Sequence, residues 1–578
     1  ESAALAKNFA SDFGLWLGPR GGYNKKTPRF ARRMQRAKKG GYNRRSHDIC
    51  TADHRYTENV KALFLDYMDR FDINYWKLVG FLLRSCPSHR HGHPTGGYED
   101  MYCFTDHWER WIAVFQEMHR HREAQGKSLW INQTSYCNAS PWHLQFSESL
   151  WMQNSDDIGF IGKTTNGEAM QGKDFDRMLT YRDTKYFDFH ETRAYQFPLS
   201  NMYNHEPIYG NTAKIQMTDE EFRKYLYMLA TRGTAFWELY YSCNMMNDVK
   251  WQINADVLRF LKDNFHILRN AKLIGHSPNT GAVYGYSAWE GAEGFVSLRN
   301  PMPYAQTFSF TLDRRIGVAE GTQDMVCTSV LPHVQTEQGK PWNYGDTYEI
   351  ELNPHEIRVL HFGAPVTAPP VLLRAKAMDE HTVLLAFDRH IFPGEFACAG
   401  EKAEAELLAD YSEVRLHSAQ PFPYGESFSV QYAVRDVYGN LAEGTEKCIC
   451  YKDHLLPEFV TGVDEFTVRL RLNNAPEDGI LYTQGDSLVL SVSNGKLVAD
   501  CCGIRAKSDD KVSGGAVRAD LVRERNGILK IYVNGTLSGA GYRAESPLPA
   551  VSAGEIRKNA AIESCTLYDR AFAYVELR

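Results

Sequence analysis

No run of eighteen apolar residues occurs in the 578-residue chain, so no membrane-spanning helix is expected. Metal-type and redox cysteine spacings are missing as well. The twelve cysteines are scattered, with Cys501 and Cys502 adjacent and Cys448 and Cys450 one residue apart. None makes a CxxC pair, so free or buried thiols are expected and no metal site is read from them. Internal repeats and low-complexity tracts are absent. The chain also lacks an excess of positive charge: a formal net charge of -6 argues against a nucleic-acid partner. Its start, ESAALAKNFASDFGLWLG, shows neither an initiator Met nor the pattern of a signal peptide, so localisation is not read from it.

What is present fits ordinary globular material, 43% hydrophobic and 24% charged. The length is too great for one core, and three or four domains are expected. One segment, NKKTPRFARRMQRAKKGGYNRR at 24–45, is strongly basic and holds no acid. It carries no nucleic-acid reader motif and few aromatics, which makes it a solvated insertion or a loop near an anionic or sugar ligand.

Residues 1–270 alternate helix and strand. TENVKALFLDYMDRFD has helical spacing of its apolar residues and leads into the strand INYWKLVGF. DHWERWIAVFQEMHRHREAQG repeats the pattern and ends on Gly126. TDEEFRKYLYMLATRG opens with a capping box from Thr218 to Glu221, ends at Gly233, and precedes the strand TAFWELYYS. Parallel βα units follow from this alternation, and aromatic and polar residues gathered after the strands favour a (β/α)8-type barrel. Period-two patterns then predict an antiparallel β-sandwich over 271–364 and an immunoglobulin-like β-sandwich over 365–453, beginning at the Pro-rich GAPVTAPPVLL. The remaining residues, 454–578, form another β module, where Asn-Gly pairs at 494–495 and 534–535 signal hairpins.

Four motifs at or after the barrel strands, FGLWLGPRGGY, YWKLVGF, CNASPW and LWMQNSDDIGF, occur in an order that resembles the α-galactosidase-like glycoside hydrolases of family 36 and its clan. The likeness covers roughly residues 8–270. It implies a retaining hydrolase for terminal α-linked galactose or N-acetylgalactosamine. The last module is similar to laminin-G/concanavalin-like domains. The family's first strand and N-terminal sandwich find no counterpart here, so an upstream portion and missing N-terminal barrel strands are expected.

Retaining cleavage needs two carboxylates about 5–5.5 Å apart, one to attack and one to donate a proton. By the resemblance, the donor is Asp156 or Asp157; matching Ser-Asp favours the first and matching Asp-Ile the second. The attacking aspartate falls on Val79, which can neither attack nor carry charge, and Gly80, Phe81, Leu82 and Leu83 supply no substitute. The form written here is therefore expected to be inactive. The alternative is a non-catalytic carbohydrate-binding protein. Sugar contacts are assigned to Trp16, Arg20, Lys77, Asn132, Cys137, Trp142, Trp151 and His205, although Pro19-Arg20 stands where the family has Pro-Glu.

Asn204 and Glu206 are further candidates in PLSNMYNHEPIYG, and Glu238 is expected to pair with Arg193 or Arg232. His89, His91 and His93 alternate in SHRHGHP, which reads as a polar loop rather than a metal site. No cofactor is expected. Calcium is compatible with the acids of QGDSLVL and KSDDKVSG, though no spacing singles out ligands. A secreted or cell-surface location goes with the expected glycan substrate.

Overall fold

The computed structural model describes residues 2–7, 11–21, 26–80, 84–134, 141–152, 155–191, 197–211, 215–332, 334–336, 341–408, 411–456, 463–543 and 556–577. The chain forms two compact units. One spans residues 14–368; the other comprises residues 369–578 with the segment up to Phe13.

In the first unit, strands β1 (Phe13–Leu17), β2 (Ile73–Val79), β3 (Trp130–Thr134), β4 (Ser149–Trp151) and β5 (Met202–Tyr203) lie side by side in that order. From β2 to β5 they run parallel, with Lys77 beside Asn132, Val79 beside Thr134 and Trp151 beside Tyr203. A second parallel pair joins β6 (Ile208–Tyr209) to β7 (Tyr240–Tyr241). Helices α1 (Lys26–Arg36), α2 (His54–Phe71), α3 (Met101–Glu123), α4 (Asp174–Glu191), α5 (Asp219–Thr231) and α6 (Asp248–Leu268) fall between and after these strands. This is a barrel-type wall. Among the described residues it consists of seven short strands in two sheets rather than one closed ring.

Local chemistry explains the helix boundaries. Asp53 accepts the Arg55 amide at the start of α2, and Thr218 and Glu221 form the reciprocal box that starts α5. The turns after α3 and α5 close on Gly126 and Gly233, both with positive φ. One strand is much shorter than its sequence suggests. Of TAFWELYYS, only Tyr240–Tyr241 is β structure. Phe236 stacks on Tyr75, with ring centroids 5.2 Å apart, and the stretch still runs beside residues 200–209 through backbone bonds from Ala235 to Ser200, Glu238 to Glu206 and Tyr240 to Pro207.

Beyond α6, an antiparallel six-stranded sheet includes Tyr284–Glu290, Glu293–Arg299 and Ile357–Gly363 and faces a two-stranded ribbon, Gln306–Thr311 with Thr347–Leu352. Both faces of that sheet are buried. Tyr284, Tyr286, Phe295 and Val359 pack with the helices, whereas Trp289, Val296, Leu360 and Phe362 pack with the ribbon. The second unit holds two sandwiches. The first has two four-stranded antiparallel sheets over 372–449; the second has two five-stranded antiparallel sheets between Phe466 and Tyr568.

Candidate functional site

Lys77 and Val79 are two residues apart on β2, so their side chains leave the same face of the strand. Val79 is 7% exposed, an aliphatic group at the strand's carboxyl end. Lys77 is ion-paired with Glu238, which precedes β7. The other oxygen of that carboxylate takes a 2.5 Å hydrogen bond from His205 Nδ1, just after β5. The opposite nitrogen of the same imidazole lies 3.2 Å from Asp157 Oδ1. A continuous polar chain, Lys77–Glu238–His205–Asp157, thus crosses the region from one strand end to the next.

Burial alone raises the pKa of Glu238, but the His205 hydrogen bond and the Lys77 charge outweigh it and hold the carboxyl below its usual range. Glu238 is therefore an anion at neutral pH. The neighbouring Tyr240 phenol is pushed up to about 12, first by burial and then by the charge of Glu238, and remains a neutral donor.

Aromatic rings frame the chain. The Lys77 ammonium lies 5.9 Å from the Trp16 ring centroid and 5.8 Å from that of Tyr203. His205 packs between Trp151 and Tyr240. Beside it opens a cavity of about 300 Å³ lined by residues that include Asp157, Ile158, His205, Leu239, Tyr240 and Ser242. That volume is at the small end of ligand sites, about 300–1,000 Å³.

A buried ionic network holds these groups in place. Arg182 on α4 donates to Ser155 Oγ (2.8 Å) and to the backbone oxygens of Asp156 (3.2 Å) and Asp157 (2.5 Å). It also pairs with Glu206 at 3.4 Å. Arg232 binds Glu206 (2.5 Å) and Asp183 (2.6 Å), and Asp183 accepts hydrogen bonds from the hydroxyls of Tyr284 and Tyr286. The carbonyls of the 155–157 loop are therefore fixed to the core, while the Asp157 side chain remains 69% exposed.

The expected partner of Glu238 is corrected here. Arg232 is committed to Asp183 and Glu206, so Lys77 and His205 take Glu238 instead; Arg193 lies outside the described residues. Trp16 and Trp142 present rings that are 66% and 71% exposed, and Trp151 is half-buried with its Nε1 donating to Asn204. Asn204 in turn donates to Ser155 Oγ at 2.6 Å. Asn132 is fully buried and donates to the Tyr75 hydroxyl, which places it beneath the site. Arg20 is engaged by the buried Asp48 at 3.0 Å. Cys137 lies outside the described residues, as do Phe81, Leu82 and Leu83. Asp156 is exposed, and its amide donates to the Tyr181 hydroxyl. Arg182 and Asp183 were missed from sequence, because a charged pair inside an amphipathic helix carries no mark of the loop it anchors.

No protein-family model and no curated protein matches the chain. Among solved structures it is similar to α-galactosidase I from Mortierella vinacea, at 13% identity over 52% of this chain and 70% of that one, with a TM-score of 0.30. It is also similar to the α-galactosidase of Saccharomyces cerevisiae (10% identity, 52% and 74% covered, TM-score 0.31). A third likeness is to a maltogenic α-amylase from Thermotoga neapolitana (12% identity, 55% and 68% covered, TM-score 0.31). No residue role passes from these proteins to this chain.

Proposed function

We propose that the first unit carries a carbohydrate site of the α-galactosidase or α-N-acetylgalactosaminidase type, for terminal α-linked sugars of glycans, in a form without its nucleophile. The observation that carries this reading is the chain Lys77–Glu238–His205–Asp157, whose last two members line a sugar-sized cavity together with Tyr240 and Tyr241. A pyranose offers hydroxyls to charged hydrogen-bond partners and a C–H face to an aromatic plane, and both are available here. Asp157, exposed and touching His205, fits the proton donor, and Asp156 is the alternative. Position 79 supplies no anion to attack the anomeric carbon or to stabilise an oxocarbenium ion, so binding without turnover is expected. The β modules of the second unit are assigned to glycan attachment, and a secreted or cell-surface setting follows from that use.

A second reading, a purely carbohydrate-binding protein, is favoured by the burial of Val79 and the pairing of Glu238 with Lys77. Release of nitrophenol from nitrophenyl α-galactoside and α-N-acetylgalactosaminide separates the two. Val79→Asp is expected to gain release that the unaltered chain lacks. Binding of α-glycosides with no gain in Val79→Asp selects the second reading. Turnover by the unaltered chain that Glu238→Gln abolishes would refute inactivity and move the nucleophile's role to Glu238.

A further inference from the structure

Three features with no place in the site above converge in the first unit: the basic insertion after β1, the SHRHGHP segment after β2, and two of the scattered cysteines. Cys50, Cys86, His91 and His93 are all buried, and each offers one ligand atom to a group whose members lie within 4.8 Å of one another. Cys50 Sγ is 3.4 Å from His93 Nε2, and Cys86 Sγ is 3.3 Å from His91 Nδ1. We propose that these four side chains form a closed, four-coordinate zinc site that staples the two loops together.

The two sulfur–nitrogen distances fit the ion. With Zn–S of about 2.3 Å and Zn–N of about 2.0–2.1 Å, a tetrahedral centre sets its sulfur and nitrogen ligands about 3.5 Å apart. Two thiols and two imidazoles suit a borderline-soft cation, and loss of both thiol protons on binding matches its double charge. The imidazoles are also oriented for the purpose. His93 Nδ1 is 2.9 Å from the Pro94 carbonyl; donating there fixes the tautomer that turns the bare Nε2 lone pair toward Cys50. His91 is held from its other side, because a Cβ on Gly41 would lie 2.2 Å from His91 Nε2, which leaves Nδ1 to face Cys86. Gly92, with φ +81°, provides the turn between the two histidines.

The polar loop expected of SHRHGHP is thus corrected. His91 and His93 are drawn inside, and His89 stays outside, hydrogen-bonded with Thr95. Cys103, on α3, belongs to the same buried cluster and stands outside the four-ligand set. The stapled segments are already cross-tied: Cys50 N donates to Gly41 O, His54 N to His91 O, and Asn43 Nδ2 to Ser85 O. With four protein ligands no coordination position stays open, so the role is structural.

Mass-spectrometric metal analysis of the full chain, purified under reducing conditions and dialysed after zinc addition, tests this directly. About one zinc per chain is expected, with Cys50→Ser and Cys86→Ser losing it and Cys243→Ser, at an exposed position, retaining it. Should the serine variants fail to fold, cobalt added to the metal-stripped unaltered chain is the second readout. A thiolate-to-cobalt charge-transfer band with tetrahedral d–d absorption, displaced by zinc, is expected. Zinc-free protein after zinc addition, an octahedral cobalt spectrum without the thiolate band, or a Cys50–Cys86 disulfide in peptide mapping of the natively purified chain would each overturn the proposal.

Discussion

Lys77 and Glu238 meet across 161 residues of sequence, and their pairing joins β2 to the stretch before β7. Both are mostly buried, and breaking a buried pair leaves one charge uncompensated. Because Glu238 keeps its His205 bond, Lys77→Met is expected to cost about 1–3 kcal/mol in urea unfolding, and the double variant Lys77→Met/Glu238→Gln less than the sum of the singles. The pH dependence has a definite sign. Glu238 titrates below its usual value of 4.5, so its contribution is fully present above that value. It is lost as pH falls through the lower folded value, because the unfolded chain then binds the proton first. Glu238→Gln should flatten this part of the acid limb of the stability curve. YWKLVGF marked Lys77 as a candidate because a lysine within an apolar strand needs a partner, and the structure supplies that partner in Glu238. The pairing itself was not legible, because Arg232 is as plausible by sequence and only packing shows that Asp183 and Glu206 occupy it.

Among the elements, those whose signals are local were the ones sequence could place. The capping box that starts α5 and the Gly233 that follows it lie within one helix, and the Asn-Gly hairpins lie within two adjoining strands. At both hairpins the Asn and Gly take positive φ and the flanking residues pair directly, Ser493 with Lys496 and Val533 with Thr536. Removing the α5 cap by Thr218→Ala should cost about 1 kcal/mol, measured by chemical denaturation. Nonlocal elements were harder to read. The strand expected over TAFWELYYS is only Tyr240–Tyr241, although Ala235 and Glu238 keep single backbone bonds to Ser200 and Glu206. Helix α4 does more than pack: its Arg182 grips the carbonyls of residues 156 and 157. Arg182→Ala is expected to release that loop, seen as faster amide exchange at residues 155–158, while Lys77 and Glu238 stay paired. Asp183→Asn, which removes half of a fully buried pair with Arg232, should be far more damaging, at about 3–5 kcal/mol.

For the whole molecule, each compact unit has its own hydrophobic cores. Scanning calorimetry should therefore show at least two unfolding transitions, and a chelator should lower only the one belonging to the zinc-stapled unit. The alternation of helix and strand up to α6 and the period-two strands beyond it were readable because burial imposes those periods on the sequence. The cysteine–histidine cluster was not. Cys50 and Cys86 are brought together by the fold, with no short spacing to announce them. The central claim is that the barrel-type unit holds a terminal α-linked sugar against His205 and Asp157, which line the cavity. Isothermal titration of the full chain with methyl α-galactoside and methyl α-N-acetylgalactosaminide tests it most directly. Saturable binding of one of them, weakened at least about tenfold in His205→Ala by loss of a hydrogen bond at the cavity wall, is the expected result. No heat from either sugar, or equal affinity in the variant, would contradict the account.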